Sequence, residues 1–239
     1  PAERARVLEL GCASGGNIVP LAARYPEAGF LGIDLSRQHV DQGNARIGAL
    51  GLANIELRHG DLTTLAAAGR RFDYVVCHGV YSWVPPATQD AILRICAATL
   101  ADDGLAAISY NVLPGWHLRS VVRDACLIHA GREGEPHGRV AKARAILAVL
   151  AEATSDTGAY GQILRAEAER LMRQPASYIL GEFLADHNAP CHFREFAARA
   201  AAHGLGYVCE GDLPASIPEL AAPRAAAGIA SLAGEDRLL

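Results

Sequence analysis

Apolar positions along this chain come in short runs, most of them closed by a glycine or acidic turn and followed by a stretch of helical period. Val7-Leu8-Glu9-Leu10 is the first run, broken by Gly11-Cys12-Ala13-Ser14-Gly15-Gly16-Asn17 and followed by an amphipathic stretch from Ile18 to Tyr25. Gly29-Phe30-Leu31-Gly32-Ile33-Asp34 is the second; Ser36 then caps a helix that runs to Leu50 and stops at Gly51. Ile55-Glu56-Leu57-Arg58-His59-Gly60-Asp61-Leu62 holds the third strand and its exit, and Phe72-Asp73-Tyr74-Val75-Val76-Cys77-His78 is the fourth. A helix over Gln89–Leu100 and a turn at Asp102-Asp103-Gly104 lead into a fifth strand, Gly104 to Tyr110. Continuous apolar runs are what strands buried on both faces require. Their alternation with helices predicts an α/β fold, a Rossmann-like open parallel sheet.

After Trp116-His117 the alternation stops. Leu118–Ala130, Gly138–Ala153 and Tyr160–Arg173 read as three helices rich in Ala, Leu and Arg, too long a segment for a connector. They form a helical insertion after strand five, expected over the ligand edge of the sheet. Phe193–His203 then reads as a helix and Gly206-Tyr207-Val208-Cys209-Glu210 as a strand, before an Ala- and Pro-rich tail. The expected organisation is a ligand-binding core over 1–117, a helical or regulatory segment over 118–190, and a return to the core over 191–239 with a final strand missing. Pro1 falls so close to the first strand that part of a natural N-terminus is expected to lie outside the sequence. No internal repeat is evident.

In open parallel sheets, ligands bind beyond the carboxyl ends of the strands. Glu9, Asp34, Asp61, His78 and Tyr110 all fall there. Gly11 and Gly15 allow a close backbone approach to a ligand, with the small Ala13 between them. Many nucleotide folds have such a turn, and Glu9 discriminates among them. A carboxylate just before the glycines repels a pyrophosphate but suits a ligand with an ammonium group and ribose hydroxyls, as in S-adenosylmethionine. Asp34, ending the second strand, is placed for ribose hydroxyls, although alone it also reads as a solvent-facing turn residue. Asp61 is placed for an adenine amine with Leu62 packing on the base, although Gly-Asp alone is an ordinary turn.

Both tryptophans lie just past strand ends, in His78-Gly79-Val80-Tyr81-Ser82-Trp83-Val84-Pro85-Pro86 and Tyr110-Asn111-Val112-Leu113-Pro114-Gly115-Trp116-His117. Tyr81, Trp83, Tyr110 and Trp116 read either as core aromatics under a lid or as an aromatic-walled channel, whose ring faces attract cations. Asn111 is a candidate to hold a nucleophilic nitrogen by its amide oxygen. His117 and His78 are candidate proton acceptors, and His78 reads better as a structural histidine. Asp186-His187-Asn188-Ala189-Pro190-Cys191-His192 is faintly reminiscent of metal ligands but matches no usual zinc spacing, so no metal is expected.

The 239 residues are 51% hydrophobic with a net charge of −4, which suits one large α/β domain or one with an insertion. No Lys/Arg run points to nucleic acid. The six cysteines lack paired spacing and read as reduced thiols of a cytoplasmic protein. No stretch has membrane-spanning length, and the start is not a signal peptide.

Glu9-Leu10-Gly11-Cys12-Ala13-Ser14-Gly15-Gly16-Asn17, Gly32-Ile33-Asp34-Leu35-Ser36, His59-Gly60-Asp61-Leu62 and Cys77-His78-Gly79-Val80-Tyr81-Ser82-Trp83-Val84-Pro85 together resemble a class I S-adenosylmethionine-dependent methyltransferase. More narrowly, with Tyr110-Asn111 and Pro114-Gly115-Trp116-His117, they resemble the bacterial group carrying a methyltransferase regulatory domain. That group includes rickettsial protein-lysine methyltransferases acting on outer membrane protein B. The resemblance implies that Glu9 lies near the methionine moiety by way of the loop of Gly11, Ala13, Gly15 and Asn17. It implies Asp34, with Leu35 and Ser36, at the ribose, Asp61 and Leu62 at the adenine, and His78-Gly79 along the methionine arm. The generic loop has Gly where Ala13 stands, a change this group shares, and the family's last antiparallel strand is missing. DNA-base methyltransferases have an Asn/Asp-Pro-Pro-aromatic motif where this chain has His78-Gly79-Val80-Tyr81, which argues against DNA.

The expected activity is methyl transfer from S-adenosylmethionine to a protein lysine. Two rival readings are a small-molecule methyltransferase with the insertion as lid, and a regulatory module that binds S-adenosylmethionine without turnover. A nicotinamide-dependent dehydrogenase leaves Glu9 and Asp61 without a role. A homodimer through the helical segment is also open.

Overall fold

The computed structural model describes residues 2–65, 69, 71–153, 158–217, 220 and 222–233. Five strands form one parallel sheet in the order β3-β2-β1-β4-β5. They are β1 (Arg6–Leu10), β2 (Gly29–Asp34), β3 (Ile55–His59), β4 (Phe72–Cys77) and β5 (Leu100–Ile108). In β1, central in the sheet, Val7, Leu8, Glu9 and Leu10 are consecutively buried, as a strand covered on both faces must be. Its register runs from Arg6↔Gly29 to Leu10↔Ile33 against β2, and from Val7↔Tyr74 to Glu9↔Val76 against β4. The order reverses between β1 and β4, which makes the carboxyl ends of these two strands the switch point.

Helix α1 (Ile18–Arg24) follows β1 and α2 (Arg37–Ala49) follows β2. Ser36 Oγ caps α2 by accepting from His39 N, and Gly51 stops the helix region at φ +66°. Ile18, Val19 and Ala22 of α1 and Val40 and Ile47 of α2 share one apolar cluster with Val7, Phe30, Ile55 and Leu57. Helix α3 (Pro86–Thr99) packs against β4 and β5. It starts three residues earlier than expected, because Pro86 suits a first helical turn.

Two expectations need correction. The turn predicted at Asp102-Asp103-Gly104 lies inside β5: Phe72 pairs with Leu100 and Tyr74 with Leu105, so residues 101–104 bulge out of the ladder. Gly104 is required there, since a Cβ would come 2.9 Å from Phe72 O. The strand predicted over Gly206–Glu210, within the expected return to the core over 191–239, is no strand. Tyr207 and Val208 are 47% and 69% exposed, and Glu210 N donates to Ser216 Oγ at 2.7 Å instead of to a neighbouring strand. The Tyr207-Val208-Cys209 run is apolar, but among the described residues it pairs with no strand.

The chain divides into two compact units. The first, Pro1–Tyr81, Pro86–Tyr110 and His192–Leu239, holds the sheet and helix α8 (Phe193–Ala202). The second, Ser82–Pro85 and Asn111–Cys191, is helical. It contains β6 (Val112–Leu113), α4 (Trp116–Ala130), α5 (Pro136–Ala153), α6 (Ala159–Met172) and the short α7 (Ala176–Tyr178), which opens into a wide turn over Ile179–Phe183. Cys126, Leu147, Leu171 and Phe183 are among its fully buried core residues. Arginines bind carbonyls at its helix ends: Arg144 reaches Met172 O and Gln174 O, each at 2.8 Å, and Arg139 reaches Gly131 O at 3.1 Å and Leu184 O at 2.9 Å. Among the described residues no helix is long and apolar enough to cross a membrane.

Candidate functional site

The glycine turn after β1 folds over the end of β2. Gly11 N and Cys12 N both donate to Ile33 O, at 2.8 and 3.1 Å. Gly11 (φ +73°) and Gly15 (φ +79°) take the left-handed region, and so does Ala13 (φ +47°), at a cost of about 1 kcal/mol for an L-residue. A Cβ on Gly11 would lie 2.4 Å from Val80 Cγ2, so protein packing already demands glycine there. Asp34 fastens the turn: its Oδ2 accepts from Ala13 N and its Oδ1 from Ser36 N, both at 2.8 Å. Each carboxylate oxygen has a second lone pair, so ribose hydroxyls can still donate to it. Sequence reasoning assigned Asp34 to a ligand and missed that it first holds the loop.

Glu9 is 1% exposed. Its Oε1 accepts from Asn17 Nδ2 at 2.7 Å, while Oε2 is buried without a hydrogen-bond partner among the described residues. Burial pushes the carboxyl pKa up; the Asn17 hydrogen bond opposes this and the Asp34 charge adds to it. An orphaned buried carboxylate oxygen costs stability unless something donates to it. The donor that answers both the charge and the lone pairs is a cation with N–H groups.

Leu35, beside Asp34, is 68% exposed, an apolar side chain left on the strand edge. Asp61 turns its Oδ1 to Thr63 N and Thr63 Oγ1, both at 2.8 Å, and these bonds hold its pKa below the usual carboxylate value. Leu62 is buried. His78 is exposed, and Gly79 at φ +70° donates its N–H to Ser109 Oγ at 2.8 Å.

The six expected catalytic residues divide between the two units. Tyr81 and Tyr110 belong to the sheet unit, where Tyr110 stacks on Phe196 of α8 at 4.2 Å and Tyr81 meets both rings edge-on. Tyr81 is wholly buried and Tyr110 half-buried. Trp83, Asn111, Trp116 and His117 belong to the helical unit. There Trp83 and Trp116 form an edge-to-face pair at 5.8 Å, and the Arg119 guanidinium lies 5.2 Å from the Trp116 ring. Trp116 is 5% exposed with Nε1 buried and without a hydrogen-bond partner among the described residues, whereas His117 is exposed. Asn111 N donates to Ser82 Oγ at 2.8 Å and Asn111 Nδ2 to Asn188 Oδ1 at 3.0 Å. Phe196, Ser82 and Asn188 were not anticipated; nothing local in sequence marks them.

Among the described residues no three His, Cys, Asp or Glu side chains stand where they share a metal site. In the Asp186–His192 segment, Asp186 instead faces Arg132 at 3.5 Å, and His192 N donates to Glu195 Oε2 at 3.0 Å.

The chain matches a methyltransferase domain family over residues 7–104 and a predicted methyltransferase regulatory domain over residues 175–239. A protein of Rickettsia prowazekii is 37% identical over 226 residues, covering 91% of this chain and 41% of the relative. A second protein of that organism is 33% identical over 201 residues, covering 84% of this chain and 80% of the relative. The solved structure of PKMT2 from Rickettsia typhi in complex with AdoHcy superposes with a TM-score of 0.86 at 32% identity, over all of this chain and 46% of that one. The chain thus spans less than half the length of two of these relatives. Sheet, glycine turn and strand-end acids define a class I S-adenosylmethionine-dependent methyltransferase fold, and the chain belongs to that family. Within it, the chain falls in the group that joins the methyltransferase domain to the predicted regulatory domain. The family's methyl donor, S-adenosylmethionine, fits the residues present: its ammonium is the kind of donor that the orphaned Glu9 Oε2 lacks.

Proposed function

We propose that the chain is a working methyltransferase that uses S-adenosylmethionine to methylate the side-chain nitrogen of a protein lysine. The observation that carries the cofactor half is the buried, half-satisfied carboxylate of Glu9 beside a turn that Asp34 holds shut. Glu9 and the backbone of Gly11, Ala13 and Gly15, with Asn17, receive the methionine end. Asp34, Leu35 and Ser36 receive the ribose, Asp61 and Leu62 the adenine, and His78-Gly79 the methionine arm. S-adenosylmethionine supplies an electrophilic methyl group on a sulfonium.

Methyl transfer is an in-line displacement, so the protein's contribution is alignment and exclusion of water. A lysine must arrive neutral, and a desolvated aromatic lining lowers its pKa. In this reading Tyr110, Trp83 and Trp116 are acceptor-binding aromatics, and buried Tyr81 buttresses Tyr110. Asn111 Oδ1 accepts from the nucleophilic nitrogen, and exposed His117 passes the proton to water. The helical segment 118–190 is the acceptor-side module, with 1–117 and 191–239 forming the cofactor core. Lysine as acceptor is supported by the name of the PKMT2 neighbour. Trans-aconitate 2-methyltransferases are 31–36% identical over 81–106 residues, which supports the rival small-molecule reading, but they cover at most 44% of this chain.

The test is transfer of tritiated methyl from S-adenosylmethionine to lysine-bearing protein by the full natural chain. Tyr110→Phe, Asn111→Ala and Trp116→Ala are each expected to lower kcat, Asn111→Ala by about a hundredfold if it aligns the nucleophile. Unchanged turnover in all three would remove the proposed path. Binding without transfer to any acceptor would favour the regulatory-module reading.

A further inference from the structure

No single residue of the 184–191 segment has a role in the activity proposed above, yet the segment is held at several backbone positions within the helical unit. Arg139 Nη2 donates to Leu184 O at 2.9 Å and the buried Arg123 donates to Ala185 O. Ala189 N donates to Ser82 O at 2.8 Å, and Cys191 N donates to Asn111 O at 3.1 Å. Buried Ser82 answers twice, since its Oγ also accepts from Asn111 N. Between these ties stands Asn188, whose Oδ1 accepts from Asn111 Nδ2 at 3.0 Å.

A primary amide carries its nitrogen and oxygen on opposite arms of one planar group. Fixing Asn111 Nδ2 on Asn188 therefore fixes the direction of Asn111 Oδ1, the lone-pair-bearing atom. Asn111 is immobilised at N, O and Nδ2, which leaves its Oδ1 as the atom not engaged by these ties. An undirected amide presents a donor as readily as an acceptor, and a donor repels the N–H of an incoming amine.

We propose that Asn188 is a positioning residue of the methyltransferase, acting through Asn111 by holding its side-chain amide with the oxygen free to accept from the substrate nitrogen. This rests on the role given to Asn111 above. The segment that carries Asn188 is thus a bracket for the acceptor side of the reaction.

The experiment compares wild type, Asn188→Ala, Asn188→Asp and Asn111→Ala in the full natural chain. Methyl transfer to poly-L-lysine, S-adenosylhomocysteine affinity and melting temperature are read for each. Asn188→Ala is expected to lower kcat about tenfold or more, with S-adenosylhomocysteine affinity unchanged, because a misdirected catalytic group loses orientation and not cofactor binding. Asn188→Asp is expected to restore most of that rate. A carboxylate can only accept, so it keeps the bond from Asn111 Nδ2. Asn188→Ala turning over like wild type, while Asn111→Ala does not, would overturn the proposal and leave the activity standing. Loss in both Asn188 variants in step with a lowered melting temperature would also overturn it, by reducing Asn188 to a structural tie. Unchanged turnover in Asn111→Ala, or no transfer by wild type, would instead strike the underlying reading and this inference with it.

Discussion

The strand-end edge of the sheet and the helical unit are both held by side-chain-to-backbone and amide hydrogen bonds, but over very different spans of chain. Asn17 reaches Glu9 across 8 residues and Asp34 reaches Ala13 across 21. Asn111 reaches Asn188 across 77 residues and Arg123 reaches Ala185 across 62. The first region is a self-contained βαβ device whose ties form as the turn forms. The second assembles only when its helices pack. A binding site built from local ties tolerates change elsewhere, whereas one built from distant ties inherits the stability of the whole packed unit.

The largest effect that breaks the comparison comes from the helical core. Phe183→Ala removes a fully buried ring and is expected to cost about 3–5 kcal/mol. In differential scanning calorimetry this lowers the melting of the helical unit, while S-adenosylhomocysteine affinity holds. Parallel loss of both would show that the two regions stand or fall together.

Glu9→Gln sharpens the local side. It keeps an oxygen for Asn17 Nδ2 but removes the charge, and is expected to weaken S-adenosylhomocysteine binding about tenfold, the scale of one charged hydrogen bond. The ligand-free protein should respond in the opposite sense. Because its pKa is raised on folding, Glu9 binds its proton more tightly in the folded state than in the unfolded one. Its contribution to stability therefore falls as pH rises from the ordinary carboxylate range through the raised value. Thermal melts across that range should show the decline in wild type and a smaller slope in Glu9→Gln. Equal slopes would mean that the buried carboxyl is not the group responsible.

Ala13→Gly is the smallest change. Glycine adopts φ +47° without strain, so the turn is expected to gain up to about 1 kcal/mol, offset in part by greater freedom in the unfolded chain. A clear loss of stability would mean that the Ala13 methyl group has packing of its own.

The same difference in span decides what the sequence made legible. Five strand runs, most of them closing on a glycine or an acid, carry the sheet, its parallel sense and the positions of Glu9, Asp34 and Asp61, because strand periodicity and turn chemistry act within a few residues. Helices α4, α5 and α6 were legible for the same reason. What those residues do once folded was less so. Asp34 spends a lone pair of each oxygen on Ala13 and Ser36 before any ligand arrives, and Asp61 accepts from Thr63 N and Thr63 Oγ1 with its Oδ1 alone. The Asn111–Asn188 pair and the Tyr110–Phe196 stack had no local mark at all. The 206–210 segment shows the converse: an apolar run that reads as a strand pairs with no strand among the described residues.

The central claim is that the Asp34-fastened turn after β1 is the S-adenosylmethionine site. Isothermal titration of the folded chain with S-adenosylhomocysteine, beside Asp34→Ala, tests it most directly. Binding by wild type is expected, with a loss of one or more orders of magnitude in Asp34→Ala, since that change removes the proposed ribose acceptors and frees Ala13 N and Ser36 N together. Equal affinity in the two proteins, or no binding by folded wild type in its full natural chain, would contradict it.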